Sequence, residues 1–169
     1  MVVWLIGISG AGKTTLGRKL KNYFDAKKIP SFLLDGDLIR EFYDNDLGFS
    51  KQDRIANIKR IMLAAYVLEQ NGIIPIVCNI SPFEDLRSFA RKKFHDYHEI
   101  YVQKNLDKAL ENDVKGIYKK HLKQTALVGI DLKFEEPKHS HLVLDVDHED
   151  VETSFEKIVH YLEKKMEIQ

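Results

Sequence analysis

The sequence predicts an α/β fold with a central parallel five-stranded sheet flanked by helices, and two patterns support it. Continuous apolar runs, typical of strands buried on both faces, are spaced along the chain. Amphipathic segments separate them, and this alternation is typical of parallel strands joined by right-handed crossovers. We expect a single domain over residues 1–169, a length that suffices for one hydrophobic core.

The predicted elements follow in order along the chain. The predicted strands are Val2–Ile6, Ser31–Leu34, Ile73–Cys78, His98–Val102 and His141–Val146. The predicted helices are Lys13–Ala26, a segment beginning near Leu38, Asp53–Asn71 and Glu149–Met166, with apolar residues on one face of the longer ones. The stretch of about 112–137 is less regular and rich in lysine. It fits a solvated helix and loop, but we favour a small lid that brings cations over a phosphate.

Composition narrows the classes of function. Lysine plus arginine and aspartate plus glutamate number 26 each, so no global charge favours nucleic acid or an anionic membrane. The one cysteine, Cys78, excludes an internal disulfide. No leader pattern opens the chain, and no apolar run approaches the ~20 residues of a membrane span. We expect a cytoplasmic protein.

The stretch GISGAGKT, Gly7–Thr14, matches the phosphate-binding pattern G-x-x-x-x-G-K-S/T. It follows a predicted strand and opens a predicted helix, which is the required context. Glycines let backbone N–H groups turn toward phosphate, while Lys13 reaches the β- and γ-phosphates and Thr14 binds Mg²⁺. The predicted ATP-binding residues are Gly7, Ser9, Gly10, Ala11, Gly12, Lys13, Thr14 and Thr15.

Two classes remain open for an ATP-binding protein of this kind. One is a kinase with a second substrate, and the other is a switch that hydrolyses nucleotide and signals to a partner. A guanine-binding N-K-x-D tetrad is absent, and the D-x-x-G match at Asp113–Gly116 does not follow a predicted strand. The small size favours the kinase.

The turn LDGDLIR places Asp35 and Asp37 after the second predicted strand. Ligands of open α/β sheets bind beyond the carboxyl ends of the strands, so both acids should lie near the phosphate loop. There they can act at Mg²⁺ and orient an acceptor hydroxyl. The alternative is that Asp37 only caps the helix beginning near Leu38. We favour catalytic roles for Asp35, Asp37 and Lys13.

The chain resembles the adenylylsulfate (APS) kinase family from Val3 to about Val146. The motifs that carry the resemblance are GISGAGKTT, LDGDLIR, DLGFSKQDRIANIKRI, NISP, DVKGIYKK and VGID followed by EEP. The resemblance implies a P-loop kinase fold and a homodimer. It also implies transfer of phosphate from Mg²⁺-bound ATP to the ribose 3′-hydroxyl of adenosine 5′-phosphosulfate.

The resemblance also assigns roles to single residues. Asp37 would face the acceptor hydroxyl and Asp35, with Thr14, would serve Mg²⁺. Phe49 would stack on the acceptor base, with Leu127 at the second stacking position. The remaining acceptor-binding residues would be Arg40, Arg54, Asn57, Ile80, Ser81 and Lys115. Arginine forks and aromatic faces suit phosphate and base respectively.

Three departures from the family pattern fall around the acceptor. Leu127 replaces a phenylalanine, Glu84 replaces an arginine, and Asn112 replaces another arginine. A smaller base needs less stacking surface, and a less anionic group needs fewer cations. We therefore expect cytidine diphosphoramidate, a precursor of capsule phosphoramidate, as the acceptor. The alternative is an authentic APS kinase.

Overall fold

The computed structural model describes residues 1–111 and 128–167, which contain a five-stranded sheet. Its strands are Val2–Ile6 (β1), Ser31–Asp35 (β2), Ile74–Cys78 (β3), Tyr97–Gln103 (β4) and Leu142–Asp145 (β5). All neighbouring strands are parallel, in the order β2-β3-β1-β4-β5. The predicted fold class is confirmed.

The helices lie between these strands and after the last one. In the described residues they are Lys13–Ala26 (α1), Gly36–Phe42 (α2), Lys51–Gln70 (α3), Glu84–Lys93 (α4), Leu106–Glu111 (α5) and Val151–Glu167 (α6). Helices α4 and α5 were not predicted, because α4 is mostly charged and α5 has only 6 residues. None of these helices is long and apolar enough to cross a bilayer.

Alternate residues of β1 face two separate hydrophobic layers. Val3 and Leu5 pack in the layer that holds buried residues of α1 and α6. Val2, Trp4 and Ile6 pack in the layer that holds buried residues of α3 and α4. Every side chain of β1 is buried, which explains why its sequence shows a continuous apolar run.

The strand register brings the predicted site residues to one edge of the sheet. Leu5 of β1 and Asp35 of β2 both pair with Cys78 of β3. The phosphate loop, the acidic turn and the Asn79–Pro82 turn (the NISP turn) therefore begin side by side. Of the predicted lid, residues 112–127 lie outside the described part, and 128–137 contain a bridge between Val128 and Leu132.

Candidate active site

The phosphate loop joins β1 to α1, and three of its glycines are required by local geometry. Gly10 and Gly12 have φ angles of 75° and 97°, which residues with a Cβ rarely adopt. At Gly7 a Cβ would overlap the backbone carbonyl oxygen of Val102. A residue with a side chain at any of these three positions would strain the backbone, which explains why the sequence motif has glycines there.

Two lysine ammonium groups lie against this loop. Lys13 is 9% exposed, and its Nζ donates hydrogen bonds to the carbonyl oxygens of Gly7 at 2.9 Å and Ile8 at 2.7 Å. Lys104, which follows β4, donates from Nζ to the carbonyl of Gly10 at 3.2 Å. No sequence motif indicated Lys104, since its place at the loop depends on the pairing of β4 with β1.

Asp35 connects the phosphate loop to the acidic turn. The Thr14 hydroxyl donates to Asp35 Oδ2 at 2.7 Å, while Asp35 Oδ1 accepts from the Asp37 amide at 3.1 Å. Asp35 is therefore the N-cap of α2, and the alternative in which Asp37 caps this helix is wrong, because the helix already begins at Gly36. A hydroxyl and a carboxylate side by side are oxygen donors that suit Mg²⁺.

Asp37 lies exposed in the first turn of α2. Its carboxylate is close enough to Arg40 to favour the charged form of that guanidinium. Gly36 lets the helix approach the NISP turn, because a Cβ there would lie 2.6 Å from Asn79 Nδ2. The glycine of LDGD is thus explained by crowding, and it brings Asp37 to the same edge as the phosphate loop.

Arg40 and Arg54 form a cationic pocket around Phe49. Their guanidinium carbons lie 4.5 Å and 5.4 Å from the centre of the Phe49 ring. Burial lowers the pKa of both groups, and the charge of Arg40 lowers the pKa of Arg54 further. Arg40 also donates to the carbonyls of Leu47 at 3.0 Å and Gly48 at 2.8 Å. Two partly desolvated like charges favour an anionic ligand.

Asn57 lies on α3 and contacts the acidic turn. The residue is 3% exposed, and its Nδ2 donates to the Gly36 carbonyl at 3.4 Å. Its Oδ1 is buried and has no hydrogen-bond partner among the described residues. A buried amide oxygen without a partner costs free energy, so this position suits a donor supplied by a ligand.

The NISP turn holds Ile80 and Ser81 together beside the loop. The Ser81 hydroxyl accepts from Trp4 Nε1 at 2.9 Å and donates to Asn79 Oδ1 at 3.0 Å. The Ile80 carbonyl accepts from the Gly7 amide at 3.4 Å. The Ser81 side chain is thus occupied by structural contacts, and the buried Trp4 anchors this turn.

The structure changes the interpretation of Glu84, while Lys115, Leu127 and Asn112 lie outside the described residues. Burial alone would raise the pKa of Glu84, but hydrogen bonds from Arg87 and Ser88 lower it. Its carboxylate is also paired with Arg91. The negative charge at this position is therefore neutralised within α4, and it gives no argument for a less anionic acceptor.

The described histidines around β4 and β5 contact other residues and form no metal site. His141 Nδ1 accepts from the Glu99 amide at 3.0 Å, and His148 bonds to Asp145 at 2.8 Å. Within residues 1–111 and 128–167 no group of three or more His, Cys, Asp and Glu side chains could hold a metal ion. His98 is 5% exposed, since Tyr161 and Asp96 bond to its ring.

Comparisons with known proteins decide the family. A family model described as adenylylsulphate kinase matches residues 1–145. The chain belongs to the adenylylsulphate kinase family. The adenylyl-sulfate kinase of Halothermothrix orenii is 39% identical over 167 residues, covering 98% of this chain and 90% of that protein.

Solved structures of this family agree with that result. The Mycobacterium tuberculosis APS kinase in complex with AMPPNP and APS has a TM-score of 0.89 and 30% identity, covering 96% of each chain. The hexameric APS kinase from Thiobacillus denitrificans has a TM-score of 0.73 and 26% identity, covering 97% of this chain and 29% of that chain.

Membership of this family makes the chain a phosphotransferase that acts on a hydroxyl group of a nucleotide, with ATP as donor and Mg²⁺ as cofactor. The predicted acceptor, cytidine diphosphoramidate, finds no support in these comparisons. The named relatives favour the APS kinase alternative instead. The predicted homodimer is not confirmed, since the Thiobacillus denitrificans relative is hexameric.

Proposed function

We propose that this protein transfers the γ-phosphoryl group of ATP to the ribose 3′-hydroxyl of adenosine 5′-phosphosulfate. The observation that carries the proposal is the 2.7 Å hydrogen bond between Thr14 and Asp35, because it joins the phosphate loop to the acidic turn. A donor site and a site for an acceptor hydroxyl thereby share one edge of the sheet, as direct phosphoryl transfer requires.

The donor half consists of the phosphate loop with its cation contacts. Lys13 is already held over the loop by two carbonyl contacts, from which its ammonium can turn to the β- and γ-phosphates. Thr14 and Asp35 would hold Mg²⁺, directly or through its water ligands. When bound, the ion neutralises charge on the phosphates.

The acceptor half consists of the cationic pocket and Asp37. Arg40 and Arg54 would bind the 5′-phosphosulfate, and Phe49 would stack on the base. Asp37 would accept a hydrogen bond from the 3′-hydroxyl. As the new oxygen–phosphorus bond forms and the bond to the β-phosphate oxygen breaks, the hydroxyl proton passes to the Asp37 carboxylate.

The remaining roles in the proposal follow from the sequence motifs. Ile80 and Ser81 would border the acceptor through the backbone of the NISP turn, and Lys115 would contribute from a lid of about residues 112–137. The buried side-chain amide of Asn57 would form a hydrogen bond with the acceptor. We also propose that the chain forms a single domain, that the protein is cytoplasmic and that it is a homodimer.

The second candidate acceptor is cytidine diphosphoramidate. Leu127 favours it, because leucine has no π face to stack on adenine, and a pyrimidine needs less stacking surface. The neutralised charge of Glu84 removes one of the two charge-based arguments for this acceptor. The other concerns Asn112, which lies outside the described residues.

The deciding experiment measures ADP release from Mg·ATP with each acceptor in turn, for the natural protein and for Leu127→Phe. We expect adenosine 5′-phosphosulfate to have the higher kcat/KM. We also expect Leu127→Phe to raise its advantage about fivefold, since a stacked base contributes ~1–3 kcal/mol. A higher kcat/KM for the cytidylyl compound would establish the second candidate. Release with neither acceptor would favour the ATP-binding switch, and an unchanged ratio in the variant would exclude Leu127 from specificity.

A further inference from the structure

Arg87 of α4 is a buried cation that the chemistry proposed above does not use. The residue is 1% exposed. Its Nε and Nη2 donate to Glu84 Oε2 at 3.0 Å and 2.8 Å. Nη1 donates to the Ser81 carbonyl at 2.7 Å, and Nη2 also donates to the Glu135 carbonyl at 2.6 Å. Each nitrogen of the guanidinium is bonded, which offsets the cost of burying it.

The contact with Ser81 falls on a strained part of the NISP turn. Ser81 has a φ angle of 47°, in the left-handed region that a serine rarely adopts. Its amide donates to Asn79 Oδ1 at 2.9 Å, which fixes the peptide group before Ser81. Arg87 holds the carbonyl of the peptide group after Ser81. The direction of this backbone therefore depends on the guanidinium of Arg87.

The contact with Glu135 attaches a second segment to the same turn. The Glu135 amide donates to the Pro82 carbonyl at 3.0 Å, and its Oε2 accepts from the Glu84 amide at 2.6 Å. The carbonyl of Glu135 accepts from Arg87. Residues around Glu135 are thus fastened at three points to the start of α4.

We propose that Arg87 is a positioning residue for the acceptor nucleotide. It fixes the backbone of the NISP turn, where the acceptor would lie, and ties this turn to Glu135. The donor site touches the turn through the Gly7 amide and the Ile80 carbonyl, at 3.4 Å. Loss of the Arg87 contacts should therefore weaken acceptor binding far more than ATP binding. The acceptor's place beside this turn rests on the proposed function.

The test compares Arg87→Lys with Arg91→Lys. Both arginines lie on α4 and pair with Glu84, but within the described residues Arg91 donates to Glu84, Ser88 and Glu99. Lysine keeps the charge but loses the planar fork that reaches Ser81 and Glu135 together. With adenosine 5′-phosphosulfate as probe, Arg87→Lys should raise the acceptor KM about tenfold, with kcat and the ATP KM changed less than about twofold. Arg91→Lys should change all three constants less than about twofold, because lysine keeps the positive charge beside Glu84 and Glu99, and neither acid belongs to the NISP turn.

Hydrogen exchange supplies a readout that needs no turnover. The Ser81 and Glu135 amides should exchange about tenfold faster in Arg87→Lys, and not in Arg91→Lys. Unchanged exchange, an unchanged acceptor KM, or equal KM changes in the two variants would overturn the proposal. The natural protein could also turn over no acceptor while exchange in Arg87→Lys is faster. That result would show that the proposed function had failed and would overturn the acceptor role of Arg87. Arg87 would still be shown to anchor the NISP turn.

Discussion

The two aspartates of the turn after β2 differ in what their oxygens contact. Asp35 uses one oxygen to cap α2 and the other to accept from Thr14. Asp37 lies exposed two residues later, where it can meet a substrate. Because both oxygens of Asp35 already accept hydrogen bonds, Asp35 is better suited to binding Mg²⁺ than to accepting a proton. Asp37 is therefore the expected partner of the acceptor hydroxyl.

Replacing Asp37 tests this division of roles. We expect Asp37→Ala to lower kcat about 100-fold or more, because general base catalysis contributes ~10²–10⁴-fold. Binding of an ATP analogue, measured by titration calorimetry, should stay within about twofold, since Asp35 and the phosphate loop are unchanged. Asp37→Asn keeps a hydrogen-bond acceptor and serves as the control for shape. Turnover near that of the natural protein in Asp37→Ala would rule out the catalytic role.

At the scale of elements, α1 packs unusually close to the sheet at Gly17. A Cβ at this position would overlap the sulfur of Cys78 and lie 3.0 Å from Leu33 Cδ1. Cys78 is buried, and burial raises the pKa of its thiol to about 12. A thiol of this kind is protonated near neutral pH, so its volume matters more than its reactivity.

Overpacking usually costs about 1–3 kcal/mol, and alanine gains ~1 kcal/mol over glycine in a helix. We therefore expect Gly17→Ala to lower the free energy of unfolding by up to about 2 kcal/mol. In the double variant Gly17→Ala, Cys78→Ala the sulfur's volume becomes available, so the loss should be smaller than the sum of the single losses. Urea unfolding of all four proteins measures this coupling. Additive losses, or a Gly17→Ala protein as stable as the natural one, would contradict it.

The sequence predicted the strands well because each contains a continuous apolar run of its own. Helix α4 was missed because it contains few apolar residues, among them Leu86 and Ala90. The proposed role of α4 depends on Arg87, whose hydrogen-bond partner Glu135 is 48 positions away in the sequence. Contacts of this range, like that of Lys104 with the phosphate loop, depend on the fold and leave no local pattern. The turns that carry the motif residues could be predicted from the sequence, because glycines and acidic residues at fixed spacing are typical of such turns.

At the scale of the whole molecule, a titratable cluster lies where β4 begins, away from the strand ends that carry the proposed active site. His98 Nδ1 bonds to the Tyr161 hydroxyl at 2.8 Å, and Nε2 bonds to Asp96 at 2.8 Å. The His141 ring lies 5.8 Å away, centre to centre. Tyr161 belongs to α6, so these contacts fasten the last helix to the sheet.

This cluster makes stability depend on pH. Burial lowers the pKa of His98 below its ordinary value of about 6.5, although Asp96 opposes the shift, while His141 and Lys165 add to it. The unfolded chain then binds a proton more readily than the folded one, so the contribution of His98 is fully present above pH ~6.5 and is lost as the pH falls toward its folded pKa. For one imidazole the slope is at most about 1.4 kcal/mol per pH unit.

We therefore expect the free energy of unfolding to fall as the pH is lowered below about 6.5, and to fall less steeply in His98→Gln. Urea unfolding at half-unit pH steps gives both slopes. The exposed His95, in the turn before β4, supplies the matched control His95→Gln, which removes an imidazole without touching α6. If His98→Gln keeps the slope of the natural protein, proton uptake at His98 does not govern acid stability. If it flattens the slope while His95→Gln does not, the contact between β4 and α6 is where acid first weakens the fold.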